Sequence, residues 1–467
     1  MIYRILMLFS LGCFRWLVKR DNSLRDGISP ALWIPTIWVM VISSRPLSMW
    51  LGFGGGTSTM EGSPLDGLFF LVCIIAAFVV LARRRLNWSI VISQNWPVFL
   101  FYFYLLISIL WANSTPVSFK RWFKEFGNIV ILLVILTEKN PQQALRAVFV
   151  RCAYLMLPLS VVFIRWFPDR GRFYSSNGGG GEFVGVAMQK NSLGALVLVC
   201  GLIVLWDWIE LRREQRPSRE MRTQRMIRFG LLLICVYLFH MCNSATSMVC
   251  FGIGAVIIGA TRLPFLRQRL RLLGVIAVAV VLAFCICDQM FGIKQDVVGS
   301  LGRDMTFTGR TDVWRELLGL KTDPLFGVGF MSFWDDMQYR SKLPYWVSSS
   351  AHNGYLEEYI AGGRVAIFFL VVMLLATAFR INNRLMSDGD YGVVRFAIFA
   401  ITVVANFSES NFACMTPLGF LFLLAAIGHA EAVVESQPAS RNDQIAEDQI
   451  AEEESKSHRG AIRPAIF

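Results

Sequence analysis

The chain has 467 residues, 55% hydrophobic and only 17% charged, with 14 Trp and 37 Phe, whereas soluble domains carry about 25% charged residues. With a mean hydropathy of +0.51, this composition excludes a cytosolic enzyme, a secreted disulfide scaffold and a nucleic-acid binder, and predicts a polytopic membrane protein. The formal charge of +12 does not change that reading, because most basic residues lie in short loops between apolar segments, where they orient helices.

In chain order, residues 1–27 form a cytoplasmic or interfacial segment. Residues 5–14 are apolar and are followed by Arg15, Lys19 and Arg20. No A-x-A-like cleavage site appears, so a signal peptide is not expected; an interfacial helix and a partial extra span both fit. A spanning helix needs about 20 apolar residues. Candidates fall near 28–43, 65–82, 97–112, 124–137, 144–165, 192–209, 227–241, 247–261, 271–287, 364–380, 393–407 and 413–429. Open strands cannot satisfy their backbone in lipid, so the expected fold is an all-α polytopic helix bundle. It has twelve spans, or thirteen if residues 1–20 cross, and one large extracytoplasmic loop containing short helices. Spans 1–9 occupy 28–287, the loop 288–363 and spans 10–12 residues 364–430. The acidic tail 431–467, with its tandem Asp443-Gln-Ile-Ala-Glu447 and Asp448-Gln-Ile-Ala-Glu452, is expected to be disordered and cytoplasmic.

Counted alternately, one set of loops holds Arg83-Arg84-Arg85, Lys139, Arg146, the arginines from Arg212 to Arg228, those from Arg262 to Arg271, and Arg380, Arg384 and Arg395. By the positive-inside rule that side is cytoplasmic. Both termini are then cytoplasmic and the 288–363 loop faces outward. The ten cysteines form no C-x-x-C and read as small hydrophobes. No P-loop, Rossmann fingerprint, nucleophile elbow or metal-ligand cluster is present, and buried acidic residues are not expected to line the spans.

The outward loop carries seven Lys/Arg against ten Asp/Glu, so its arginines are no general basic coat. Arg303 and Arg310 flank a Gly/Thr-rich stretch, and guanidinium forks there suit a phosphate; pairing with Asp304, Asp312 or Glu316 competes with that role. Thr311 can cap a helix running to about Leu318, with Val313, Trp314, Leu317 and Leu318 on one face, ended by Gly319 and Pro324. A second short helix is expected from Ser350 to Gly362-Gly363, with the next span following at once. His352 would lie in its first turn, where the helix field keeps an imidazole neutral and able to take a proton; capping or packing is the competing role. Arg45, Lys120, Arg121, Lys124 and Lys190 sit at outward span ends, against the orientation signal. An anionic ligand on that face explains them, as does snorkelling to lipid phosphates. Lys190-Asn191 follows a Gly-rich turn at Gly178–Gly181.

An ordered set of short motifs runs through this frame: Ser44-Arg45-Pro46-Leu47-Ser48, Arg121-Trp122, Lys190-Asn191-Ser192-Leu193-Gly194 and Ser244-Ala245-Thr246-Ser247. Then come Gly309-Arg310-Thr311-Asp312-Val313-Trp314, Pro324-Leu325-Phe326-Gly327-Val328-Gly329 and Ala351-His352-Asn353-Gly354-Tyr355-Leu356. Over roughly residues 28–430 the pattern resembles the O-antigen ligase and polymerase superfamily, closest to its exopolysaccharide polymerisation branch. The resemblance implies an inner-membrane glycosyltransferase acting on undecaprenyl-diphosphate-linked oligosaccharide at the periplasmic face, without metal, cofactor or nucleotide sugar. Its catalytic histidine and arginine map to His352 and Arg310. Arg45, Arg121, Lys190, Asn191, Arg303 and Asn353 are the expected substrate-binding residues. Expected partners are the lipid-linked donor, a glycan or lipid acceptor, membrane lipids, a flippase and a chain-length regulator; no nucleic acid is expected. Ligases commonly place another arginine at the outer end of a central span, where this chain reads Ser-Ala-Thr-Ser. They also carry a longer glycine pattern after His-Asn, where Gly363 here is followed by Arg364-Val365-Ala366. Polymerisation is therefore favoured over transfer to lipid A-core, with a lipid-linked oligosaccharide carrier as a third reading.

Overall fold

The computed structural model describes residues 2–25, 27–53, 63–174, 181–260, 310–347, 349–385 and 387–427. Arg303, the candidate span at 271–287 and the tail 431–467 lie outside the described residues. Helices run over Ile2–Asn22 (α1), Trp33–Ile42 (α2), Leu47–Trp50 (α3), Pro64–Arg83 (α4), Trp88–Gln94 (α5), Trp96–Ser108 (α6), Thr115–Leu136 (α7), Pro141–Trp166 (α8) and Pro168–Gly171 (α9). They continue over Lys190–Leu211 (α10), Arg219–Cys242 (α11), Ala245–Ala260 (α12), Arg310–Gly319 (α13), Met337–Arg340 (α14), Gly354–Arg384 (α15), Gly389–Ala405 (α16) and Pro417–Ala426 (α17). Among the described residues the only strands are Arg172–Phe173 (β1) and Glu182–Phe183 (β2), paired antiparallel with Arg172 opposite Phe183.

Local chemistry sets many of these boundaries. Ser63, Asn87, Asn140, Ser218 and Thr416 each accept a backbone N–H of the helix they cap, which satisfies a donor the first turn leaves open. Proline stands in the first turn of α4, α6, α7, α8 and α17, where its missing N–H costs nothing.

The expected apolar segments other than 271–287 overlap described helices, with 261 and 428–429 outside the described residues, and among the described residues length and composition do not confirm the expected count of twelve spans. Among the described residues five helices (α4, α8, α10, α11 and α15) are long and apolar enough to cross a membrane alone. A sixth crossing exists if α5 and the helical run Trp96–Trp111, bent by 93° at their junction, count as one. Helices α2, α12 and α17 are shorter, and α7 carries Lys120, Arg121, Lys124 and Glu125 in its first half. The N-terminal segment is helical and packs on α8.

Helices α8, α10 and α17 form the centre, and α17 is buried at every position. Helices α4 and α15 are peripheral. Leu68, Leu71, Val72, Ile75 and Val79 on α4, and Phe368, Val371, Leu375 and Phe379 on α15, are exposed at helical spacing. Such stripes would be an aggregation liability in water and are what a lipid-facing helix presents, so the protein is a membrane protein.

One end of the bundle gathers the basic short loops. Arg84 pairs with Glu138, Arg25 and Arg228 both hold Asp21 and Asp207, and Arg213 pairs with Asp390. The expectation that no buried acid lines the helices is not met: Glu125 on α7 and Glu358 on α15 are 1% and 4% exposed. Each stands close to a polar run in sequence, Glu125 directly after Lys124 and Glu358 inside the loop-proximal end of α15, and so reads as surface.

Candidate functional site

Three separate stretches of chain converge at the opposite end. Helix α13 begins at Arg310 and buries Val313 and Leu317. With Val328, Phe333, Leu343, Val347, Ala351 and Ile360 these residues form a small apolar core of the loop's own. Thr311 is thus inside the first turn rather than its cap. Trp314 Nε1 donates to the Ala351 carbonyl at 2.8 Å, tying α13 to the residue preceding His352.

His352 does not lie in the first turn of a helix. The helix starts at Gly354, capped by Asn353, whose Oδ1 accepts from Tyr355 N and Leu356 N at 3.0 and 3.1 Å. His352 precedes that cap with a φ of +48°, a backbone region uncommon for non-glycine residues. The helix-field argument for a neutral imidazole therefore does not apply, because that field acts within the first turn. A carboxylate faces the ring instead: His352 Nδ1 stands 3.6 Å from Glu409 Oε2. Glu409 Oε1 accepts from Arg310 Nη2 at 2.8 Å. The side chains are 27%, 23% and 18% exposed for His352, Glu409 and Arg310, accessible yet held.

Glu409 belongs to the turn after α16. Gly354 N donates to the carbonyls of Asn406 and Glu409, which ties that turn to the start of α15. A Cβ at Gly354 would meet Asn406 Oδ1 at 2.0 Å, so the His-Asn-Gly sequence needs its glycine. Sequence reasoning missed Glu409, which stands in none of the motifs; its neighbour Ser408 shares a 2.7 Å hydrogen bond with Thr246, and that contact links it to one. Gly194 in turn packs against Ser244 and Ser247, which bond each other at 3.1 Å. The Lys190–Gly194 and Ser244–Ser247 motifs thus touch, and the second reaches the turn that carries Glu409.

A second missed residue is Glu357, which anchors the loop. Its carboxylate accepts from Trp334 Nε1 (3.0 Å), Ala351 N (2.6 Å) and Ser350 Oγ (3.3 Å). The Pro324–Gly329 motif has a backbone role. Helix α15 breaks at Gly363 (φ +63°, ψ −158°), and the motif fills the break. Val328 N and Gly329 N donate to the carbonyls of Ile360 and Ala361, while Arg364 N and Val365 N donate to Pro324 and Leu325. Cβ atoms at Gly327 and Gly363 would lie 2.6 and 2.2 Å from carbonyl oxygens of the facing segment.

The other expected residues are placed around this core. Arg121 Nη1 donates to the Met331 carbonyl at 2.6 Å and Nη2 pairs with Asp335, which holds the loop to α7. Arg45 donates to the carbonyls of Ala187 (3.3 Å), Gly185 (3.2 Å) and Arg170. Burial, and then the charge of Arg170, lower its pKa from the ordinary guanidinium value. Lys190 Nζ pairs with Glu182 Oε1 at 2.5 Å, and Asn191 lies half-buried in the first turn of α10. Arg45 and Lys190 therefore both bind residues in the described parts of the stretch 170–190. Arg310 pairs with Glu409 instead of Asp312, which pairs with Arg315.

Comparison with known proteins matches the O-antigen ligase family to residues 229–371. That range includes Arg310, His352 and Asn353 and stops short of Glu409. The chain is also similar to the exopolysaccharide production protein ExoQ of Rhizobium meliloti (strain 1021), 23% identical over 359 residues that cover 72% of this chain and 77% of that protein. The resemblance carried by the ordered motifs is thereby shown: this is a membrane protein, helical among the described residues apart from β1 and β2, in which a region matches the O-antigen ligase family and the chain is similar to an exopolysaccharide production protein.

Proposed function

We propose that the protein is a glycosyltransferase that polymerises undecaprenyl-diphosphate-linked oligosaccharide repeat units on the periplasmic face of the inner membrane, with both termini in the cytoplasm. The observation that carries the reading is the meeting of His352 and Arg310 on Glu409, within a region of the O-antigen ligase family. The likeness to an exopolysaccharide production protein supports a polymerase or ligase role.

In this reaction His352 Nε2 takes the proton of the acceptor sugar hydroxyl. The freed oxygen attacks the anomeric carbon of the donor, and the bond from that carbon to the diphosphate breaks. The electron pair leaves with undecaprenyl diphosphate, and the anomeric centre inverts. The departing group is already stable, so a proton-donating acid is dispensable; a base and cations that meet the developing charge are what the step needs. Arg310 supplies that charge with the edge of its guanidinium that Glu409 does not occupy. Glu409 fixes the Nδ1 side of the ring so that Nε2 is the basic nitrogen. The 3.6 Å separation is longer than a hydrogen bond, as catalytic contacts often are before substrate binds. Asn353 positions His352 by capping α15. Arg121 and Arg303 are proposed to seat the diphosphate, with Arg45, Lys190 and Asn191 shaping the neighbouring outward surface.

Transfer of finished glycan to lipid A-core or another acceptor is the second reading, favoured by the description of the matched family. Purified protein in proteoliposomes, given lipid-linked repeat units and no other acceptor, separates the two. A polymerase yields a ladder of longer lipid-linked products, and His352→Ala abolishes it; a ligase yields no ladder until its acceptor is added. A carrier moves the substrate across the bilayer without lengthening it.

A further inference from the structure

The outward loop and the linker between α6 and α7 enclose an open cleft of about 680 Å³, within the usual range of ligand sites. Trp111, Phe326 and Tyr339 give it three aromatic rings. Trp111 Nε1 donates to the Phe326 carbonyl at 3.2 Å, and the two rings meet edge to face at 6.0 Å. Asn113, Gln338, Asp323 and Asp336 also line the cleft, two amide and two carboxylate side chains.

The polar groups are held by their backbones and keep capacity to spare. Asn113 N donates to Ser332 Oγ at 2.9 Å, and Gln338 N donates to Asp336 Oδ1 at 2.8 Å; neither amide side chain has a partner among the described residues. Asp323 Oδ1 accepts from Leu325 N and Phe326 N at 2.8 and 2.9 Å. These bonds hold its pKa below the ordinary carboxylate value, so it is an acceptor-only group at neutral pH. The floor is held by backbone bonds: Gly327 N donates to the Asp323 carbonyl and Val328 N to the Ile360 carbonyl, both at 3.0 Å, while Asp336 adjoins the Asp335 that Arg121 grips.

The charge decides what fits. Among the described residues no lysine or arginine lines the cleft, and two carboxylates would repel a diphosphate. A neutral sugar chain complements it in each respect. Its hydroxyls donate to Asp323 and Asp336 and exchange bonds with amides that both donate and accept. Its apolar ring faces lie on the aromatic side chains.

We propose that this cleft binds the glycan portion of the substrate, a neutral oligosaccharide, apart from the diphosphate-binding arginine. The proposal rests on the polymerase or ligase reading for its choice of glycan. The probe is the repeat-unit oligosaccharide freed from its carrier by mild acid, titrated calorimetrically into the purified full-length protein, with inorganic pyrophosphate and calcium chloride as separate titrants. The oligosaccharide is expected to bind, undisturbed by saturating pyrophosphate. Trp111→Ala and the surface change Gln338→Ala are each expected to weaken it about tenfold, the scale of one hydrogen bond or ring contact, without lowering thermal stability. If Trp111→Ala fails to fold, Gln338→Ala carries the test. Wild-type protein that binds no oligosaccharide, binds only calcium, or binds as well after Gln338→Ala overturns the cleft, while a product ladder from the same preparation leaves the polymerase standing. Oligosaccharide binding that the variants weaken, in a protein that makes no ladder, supports the cleft and removes the polymerase.

Discussion

Glu409 is the residue on which the proposed chemistry turns, because its two oxygens face the base and the cation at once. His352→Ala is expected to lower transfer by about 10²–10⁴-fold, the usual contribution of a positioned base. Arg310→Lys should rescue poorly, since a point charge lacks the two-pronged guanidinium geometry. Glu409→Gln is expected to lower kcat by about 10–100-fold, the scale for groups that orient a functional histidine. Product ladders from reconstituted variants of matched thermal stability check all three. His352 and Arg310 stand out in the sequence because each lies in a motif within one long polar loop. Glu409 was not, since an acid in a short turn carries no signal until folding brings 310, 352 and 409 together. The same holds for Glu357, whose three donors come from residues 334, 350 and 351.

At the scale of elements, the break in α15 defines the loop's seat. Sequence identified Gly362-Gly363 as a helix stop, and the φ of +63° at Gly363 bears that out. The partner of the break was not legible: a ladder between 324–329 and 360–365 leaves no periodicity in either segment. The glycines of the Pro324–Gly329 motif are explained by it, as close backbone approach rather than loop flexibility. Gly363→Ala is expected to cost more than the roughly 1 kcal/mol that such a change can gain at a compatible site, because the added Cβ meets the Leu325 carbonyl at 2.2 Å. Thermal unfolding in detergent should show the loss, and transfer should fall with it as the loop detaches. Helix α13 was readable from Val313 and Leu317 at helical spacing. The start of α15 was misplaced because Ser350 offers a hydroxyl where the cap is in fact Asn353.

Across the whole molecule, charge sorts the two ends of the bundle. The basic short loops meet acids in buried pairs at one end, with Arg228 between Asp21 and Asp207 joining α1, α10 and α11. Arg228→Met leaves the buried Asp21 and Asp207 to Arg25 and is expected to cost about 2 kcal/mol, the scale of a charge-assisted hydrogen bond, read as a fall in melting temperature that leaves the Arg310–His352–Glu409 cluster untouched. Hydropathy made the all-helical class plain, whereas helix lengths and the bend of 93° before Trp96 depend on packing that windowed composition does not see. The central claim is that the Arg310–His352–Glu409 cluster faces away from the cytoplasm. Single cysteines placed in a background lacking the ten native ones test it most directly, at Ser341 in the loop and at Ser387 between α15 and α16, both exposed. A membrane-impermeant maleimide applied to intact spheroplasts is expected to label Ser341→Cys at once and Ser387→Cys only after permeabilisation; the reverse pattern would contradict the account.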